Sequence, residues 1–89
     1  MIRLTGRLIA ANAAQAALIR SHLPGHVAAT RAEPGCVLFE VTETAGLIWQ
    51  VSESFHDQAA FDHHQVRTRA SVWFAATANI QRDYTVTKD

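Results

Sequence analysis

The sequence predicts an α+β fold in which one antiparallel sheet carries helices on a single face. Three observations lead there. Runs alternating apolar and polar residues lie at Ile2–Ala10, Cys36–Glu43, Leu47–His56 and Asp83–Thr87, the period of half-buried strands. Around them, apolar residues recur at three- and four-residue spacing, the period of amphipathic helices. The 89 residues suffice for one core, and no linker, low-complexity tract or repeat divides them, so residues 1–89 read as a single domain.

In the first strand Ile2, Leu4 and Leu8 share one face, and Arg3, Thr5 and Arg7 share the other. Asn12 is placed to cap a helix, with Gln15 three residues on in the capping-box position. Ala16, Leu18, Ile19, Leu23 and Val27 supply the helical spacing. Pro24-Gly25 is expected to break or kink this helix, because proline removes a donor and crowds the preceding turn. A second helical piece then covers Pro24–Ala32. Pro34-Gly35 suits a type II turn, with glycine where φ is positive. Thr44-Ala45-Gly46 is short enough to join the next two strands as a hairpin. Asp57 is a good N-cap for a helix through Gln65. A third helix is expected over Arg69–Asn79, with Ala70, Trp73, Thr77 and Ile80 in one stripe. The resulting order, βαββαβ, is that of the ferredoxin-like split, whose right-handed crossovers place the helices together.

Composition narrows the function. Eight basic residues balance eight acidic ones, so there is no broad positive field for a phosphate backbone and nucleic-acid binding is not expected. The single cysteine, Cys36, cannot form an intrachain disulfide and has no ligand companion at CxxC spacing, which fits a reduced, cytoplasmic setting. The first residues alternate rather than forming an apolar core, unlike a signal peptide, and no run is long enough to span a membrane. Yet 48% of residues are apolar, much for a chain that buries only roughly 60–65% of its unfolded surface. A partner surface is the natural sink for the excess.

His64 is the leading candidate for chemistry. Ala60 and Phe61 lie four and three residues before it, so the three share a helix face, while His63 points about 100° away. An imidazole beside a buried aromatic can exchange protons near neutral pH. A boundary histidine bonded to backbone is the plainer reading of the residues alone. Adjacent histidines diverge on a helix, and His22 and His56 sit on other elements, so no metal site is expected.

Trp49 shares a strand face with Leu47, Val51 and Phe55 and reads chiefly as packing. Trp73 reads equally as core or as pocket wall. Alternation puts Glu53 on the Trp49 face, where a carboxylate must be paired or wet. It would end the strand in water, bridge a dimer interface or line a pocket, and the interface is preferred. Arg67, with Arg69 and Arg82, is a candidate contact for an anion, although solvated loop arginines are the simpler account. No Ser-His-Asp arrangement or glycine-rich phosphate loop can be argued from spacing.

Four pieces in order, the Glu33-Pro34-Gly35-Cys36 turn, the Glu53-Ser54-Phe55 strand end, the Ala60–His64 helix and the Arg67–Trp73 run, resemble the antibiotic biosynthesis monooxygenase-like family. The likeness extends over nearly the whole chain. It implies a dimeric α+β barrel, two sheets packed by their bare faces, and a homodimer that disposes of the surplus apolar surface. Members of that family include oxygenases that oxidise quinols or anthrone-like aromatics with O₂ and without flavin, haem or metal. The resemblance gives His64 the role of base or hydrogen-bonding group, with Phe39, Phe61 and Trp73 as pocket walls and no cofactor. A haem-degrading branch is less similar. Where that branch has a first-strand asparagine, a tryptophan and an axial histidine, this chain has Gly6, His64 and Phe74. Two further readings come with the family: a non-catalytic small-molecule-binding or stress-response module, and an isomerase.

Overall fold

The computed structural model describes residues 1–89. Strand β1 (Ile2–Ile9) is followed by helix α1 (Ala13–Arg31), strands β2 (Cys36–Ala45) and β3 (Ile48–Phe55), helices α2 (Gln58–Arg69) and α3 (Val72–Thr77), and strand β4 (Gln81–Lys88). The sheet runs β2-β3-β1-β4 with every pair antiparallel. This is the expected ferredoxin-like arrangement, with the third helix reduced to a short appendage of the second.

The period-two pattern fixes which residues meet the helices. Leu8 pairs with Trp49, Leu4 with Glu53 and Ile2 with Phe55 across β1 and β3, all buried. Ala16 and Ile19 of α1 and Trp73 of α3 close over that face and complete the core with Ala10, Val51 and Ile80. Fully burying a side chain such as Ile19 or Phe55 contributes about 1.5–3 kcal/mol. The helix-free face is polar. It carries Arg3, Thr5 and Arg7 of β1, Gln50 and Ser52 of β3, and Asp83, Thr85 and Thr87 of β4. The apolar excess lies elsewhere, at Val66, Val72 and Phe74 on the helices and at Val37, Leu38 and Val86 on the two edge strands.

Local chemistry accounts for the boundaries. The Asn12 side chain accepts from Gln15 N at 2.9 Å, and Asp57 Oδ1 accepts from Ala60 N at 2.8 Å, as the capping pattern requires. The break expected at Pro24 does not occur: α1 runs unbroken through it. Arg20 and Pro24 are both exposed, so water can bond the carbonyl that loses its partner. The long third helix also differs from expectation. Ser71 Oγ accepts from Phe74 N at 3.1 Å, starting a new helix, while α2 continues to Arg69 rather than stopping at Gln65.

The Glu33–Cys36 turn closes with Cys36 N donating to Glu33 O at 3.1 Å. It is not type II, because Gly35 is not among the glycines with positive φ. Gly35 serves a different need: a Cβ there would overlap Ala60 Cβ, so its absence lets α2 lie close to the turn. The hairpin between β2 and β3 does use positive φ, at Gly46 (53°).

Candidate functional site

A cavity of about 190 Å³ lies between the helix-bearing face of the sheet and the three helices. Leu4 and Leu8 of β1 and Val51 of β3 form its apolar floor, and Phe39 and Val41 of β2 close one side. Trp73 and Phe74 of α3 cover it. Five ionisable side chains reach this lining, His26 of α1, Glu53 of β3, His64 of α2, and Arg82 and Tyr84 of β4, beside the polar Gln65 and Thr68 of α2.

His64 is 2% exposed and packed among rings, with Phe55 at 4.9 Å and Phe39 at 5.7 Å between centroids. Its Nδ1 meets Glu33 Oε2 at 2.9 Å. The same Glu33 oxygen accepts from Arg67 Nε at 2.9 Å, and Arg67 Nη2 donates to Thr30 Oγ1 at 2.9 Å. A carboxylate can only accept, so the proton of this pair sits on Nδ1. Nε2 is therefore left as an acceptor, with Thr68 Oγ1 at 3.4 Å and Glu53 Oε1 at 3.7 Å. Burial pushes the His64 pKa down, and the Glu33 hydrogen bond opposes that shift without cancelling it.

Glu53 sits opposite Leu4 on one side and Phe39 on the other. Its carboxyl is pushed up to about 7, first by burial and then by the charge of Glu33. His26 stacks on Trp73 at 5.0 Å with 9° between planes. Burial, then the charges of His64 and Arg67, lower its pKa to about 4. Burial likewise raises Tyr84 to about 12. The site thus holds two neutral imidazoles and one carboxyl poised near neutrality. Arg82, though cationic, is occupied: its Nη1 donates to Thr77 O at 2.7 Å and Ile80 O at 3.0 Å, and its Nη2 to Thr77 Oγ1 at 2.8 Å.

Of the residues singled out from the sequence, the fold gathers His64, Phe39, Trp73 and Glu53 around this cavity. Glu53 shares the helix-covered face with Trp49 and Val51, as the alternation required, and of the places open to it there it takes the cavity lining. Trp49 and Phe61 do not line the cavity. Trp49 packs in the core under the Arg20 guanidinium, 5.4 Å from the ring centroid. Phe61 turns toward Phe55, edge to face at 5.7 Å. Arg67 lies behind the cavity, bonded to Glu33 and Thr30, and opens onto a separate cleft with Ser21 and His22.

Sequence reasoning passed over Glu33 and His26. His26 carried a signal, because Ala16, Ile19, Leu23, His26 and Thr30 continue one helical stripe. Glu33 was visible only as the first residue of the Glu33–Cys36 turn, and nothing in its spacing pointed to His64, to which only the third dimension brings it. No three His, Cys, Asp or Glu side chains cluster where they could hold a metal, and His63 is exposed while His64 is buried.

A family model described as antibiotic biosynthesis monooxygenase matches residues 1–76. The chain belongs to the antibiotic biosynthesis monooxygenase family. A proposed antibiotic biosynthesis monooxygenase from Deinococcus radiodurans is 26% identical, superposes with a TM-score of 0.85, and is matched over 100% of this chain and 92% of its own. Rv0793 from Mycobacterium tuberculosis is 22% identical, with a TM-score of 0.79 and coverage of 99% and 93%. SnoaB, a cofactor-independent oxygenase from Streptomyces nogalater, is 13% identical, with a TM-score of 0.80 and coverage of 99% and 91%, a likeness of fold. Comparison with curated proteins gives no match. No helix of this family member is long and apolar enough to cross a membrane.

Proposed function

We propose that this domain is a cofactor-independent monooxygenase that oxidises a small phenolic or quinol-type aromatic with O₂. The observation that carries the reading is the buried His64, held at Nδ1 by Glu33 and presenting Nε2 as an acceptor on the wall of an apolar cavity. Desolvation there favours transfer of a hydroxyl proton to a positioned base over solvation by water. The phenolate so formed is the electron donor. In the balanced reaction, one atom of O₂ enters a ring carbon and the other leaves as water. The substrate supplies all four electrons as its ring becomes a quinone, so no external reductant is needed.

Cavity size bears on the substrate. A cavity of about 150 Å³ holds benzene, so 190 Å³ suits one substituted ring rather than a fused polycycle. Haem fits poorly for the same reason, and the lining offers no histidine at Phe74, where the haem-degrading branch places its axial ligand. We also infer that the active form is a homodimer in the cytoplasm, a reading supported by family membership and by the exposed Val37, Leu38 and Val86 on the edge strands.

The test is O₂ uptake with a panel of monocyclic quinols and hydroxylated aromatics, compared with the His64→Ala variant and with anaerobic controls. Uptake coupled to quinone formation and reduced about 100-fold or more in the variant is expected. Thermal stabilisation by the same compounds without turnover would instead indicate a binding module.

A further inference from the structure

Glu53 is a buried acid with nothing to hold it. It is 6% exposed, and its Oε1 has no hydrogen-bond partner, lying 3.7 Å from His64 Nε2. A structural side chain at this position would not be a carboxyl: leaving one buried and unpaired costs several kcal/mol, and an apolar residue would pack as well. The groups around it come from every element of the site. Glu33 stands in the turn before β2 and Cys36 at its start, His64 and Arg67 on α2, His26 on α1, and Arg82 and Tyr84 on β4. The two cations among them are committed, Arg67 to Glu33 and Thr30, Arg82 to the end of α3. Glu53 therefore has no counter-ion, and it is part of the cavity lining.

We propose that Glu53 is the group that takes the substrate's hydroxyl proton, and that His64, oriented by Glu33, receives that proton next. The O–H bond of the substrate breaks, its electron pair stays on oxygen, and the proton binds a Glu53 carboxylate oxygen. In this step the negative charge of Glu53 moves to the phenolate, so the net charge of the site is unchanged. The Glu53 carboxylic acid then donates toward His64 Nε2, and the imidazolium that forms is stabilised by Glu33 at Nδ1. A substrate that itself carries a carboxylate is disfavoured, because Glu33 and Glu53 already supply negative charge; a neutral phenol is favoured. This deepens the oxygenase reading and relies on it for the fate of the phenolate, but the proton transfer stands apart from O₂.

Two measurements test it without requiring turnover. Infrared difference spectra of the wild-type protein, ¹³C-labelled at glutamate, should show one dehydrated carboxylic-acid band titrating near neutral pH and missing from Glu53→Gln. Its absence from the wild type overturns the proposal. The second uses 4-nitrophenol, whose phenolate and phenol differ in colour. In the wild type the bound probe should ionise. In E53Q it should bind as the phenol, with at least about 10-fold less phenolate, and Glu53→Asp should restore ionisation in part. Equal ionisation in E53Q and wild type would leave His64 as the sole base and sink the idea. Probe ionisation that depends on Glu53, with no O₂ uptake from any phenol, would instead defeat the oxygenase reading and leave this one standing.

Discussion

Glu33 Oε2 and His64 Nδ1 meet at 2.9 Å across thirty-one residues of chain, both side chains almost wholly out of water. The contact joins the turn before β2 to the middle of α2. It thereby fixes one ring orientation and one tautomer of the imidazole that borders the cavity. Arg67 shares the same oxygen from the next turn of the helix, so one carboxylate organises two groups of opposite proton demand.

Removing that carboxylate should be costly. Glu33→Ala leaves the His64 Nδ1–H and the Arg67 Nε–H unpartnered, and a loss of about 3 kcal/mol is expected from urea unfolding at unchanged m. Glu33→Gln keeps the shape and should lose about half as much. Because Glu33 raises the His64 pKa against the effect of burial, NMR titration of E33Q should place His64 lower still than in the wild type. A His64 titration that does not move would remove Glu33 as its positioning residue.

Stability should fall with rising pH because of Glu53. Its carboxyl titrates at about 7 in the folded protein against 4.5 ordinarily, so the native state binds its proton more tightly than the unfolded chain does. The stabilisation is complete below about pH 4.5 and lost as pH rises through about 7. Relative to Glu53→Gln, the wild-type melting temperature should therefore decline across that window. A difference curve that is flat, or that rises, contradicts the buried-acid description.

His26 works in the opposite sense. Its pKa drops from 6.5 to about 4, so stability is present above 6.5 and lost as pH falls through 4. His26→Phe keeps a ring against Trp73 and removes the buried, unpartnered Nδ1. The expected result is stability within about 1 kcal/mol at neutral pH and a smaller loss in acid. Where the two windows overlap the effects oppose, so the wild-type curve should be flatter than that of either variant.

Gly35→Ala probes the close approach of α2. Its new methyl overlaps Ala60 Cβ and should destabilise by about 1–3 kcal/mol while displacing the helix that carries His64. The double variant with Ala60→Gly should recover most of that loss, less about 1 kcal/mol for glycine inside a helix. Strictly additive costs would mean that the two positions do not collide.

Sedimentation should show a dimer at micromolar concentration, weakened by polar substitutions at Val37, Leu38 or Val86 and little affected by Thr5 or Thr85, if the edge strands carry the association. A stable monomer would remove the homodimer reading.

Much of the architecture could be read from residue order, because its determinants are local. Alternation placed four strands, and Asn12 and Asp57 marked two helix starts by side chains that reach only three residues. The readings that missed involved competition. Pro24 weighed one lost bond against nineteen residues of helix, and the exposure of its surroundings let the helix win. Ser71 could be helix interior or cap, and its position after Ala70 made it a cap. For the site, the shared face of His64 and Glu53's awkward place in an apolar strand were visible, but their neighbours were not. Glu33 acquires meaning only through a turn that folds it against α2, and no spacing rule encodes a contact of that range.

A helix of six residues cannot stand by itself in water, yet α3 supplies the two aromatic rings that roof the chamber. Besides the packing of Trp73 in the core, a guanidinium reaching over from the last strand holds its final residue, Thr77, at both the carbonyl and the hydroxyl. The far end of that ceiling is thereby joined to β4, the strand at the outer margin of the sheet.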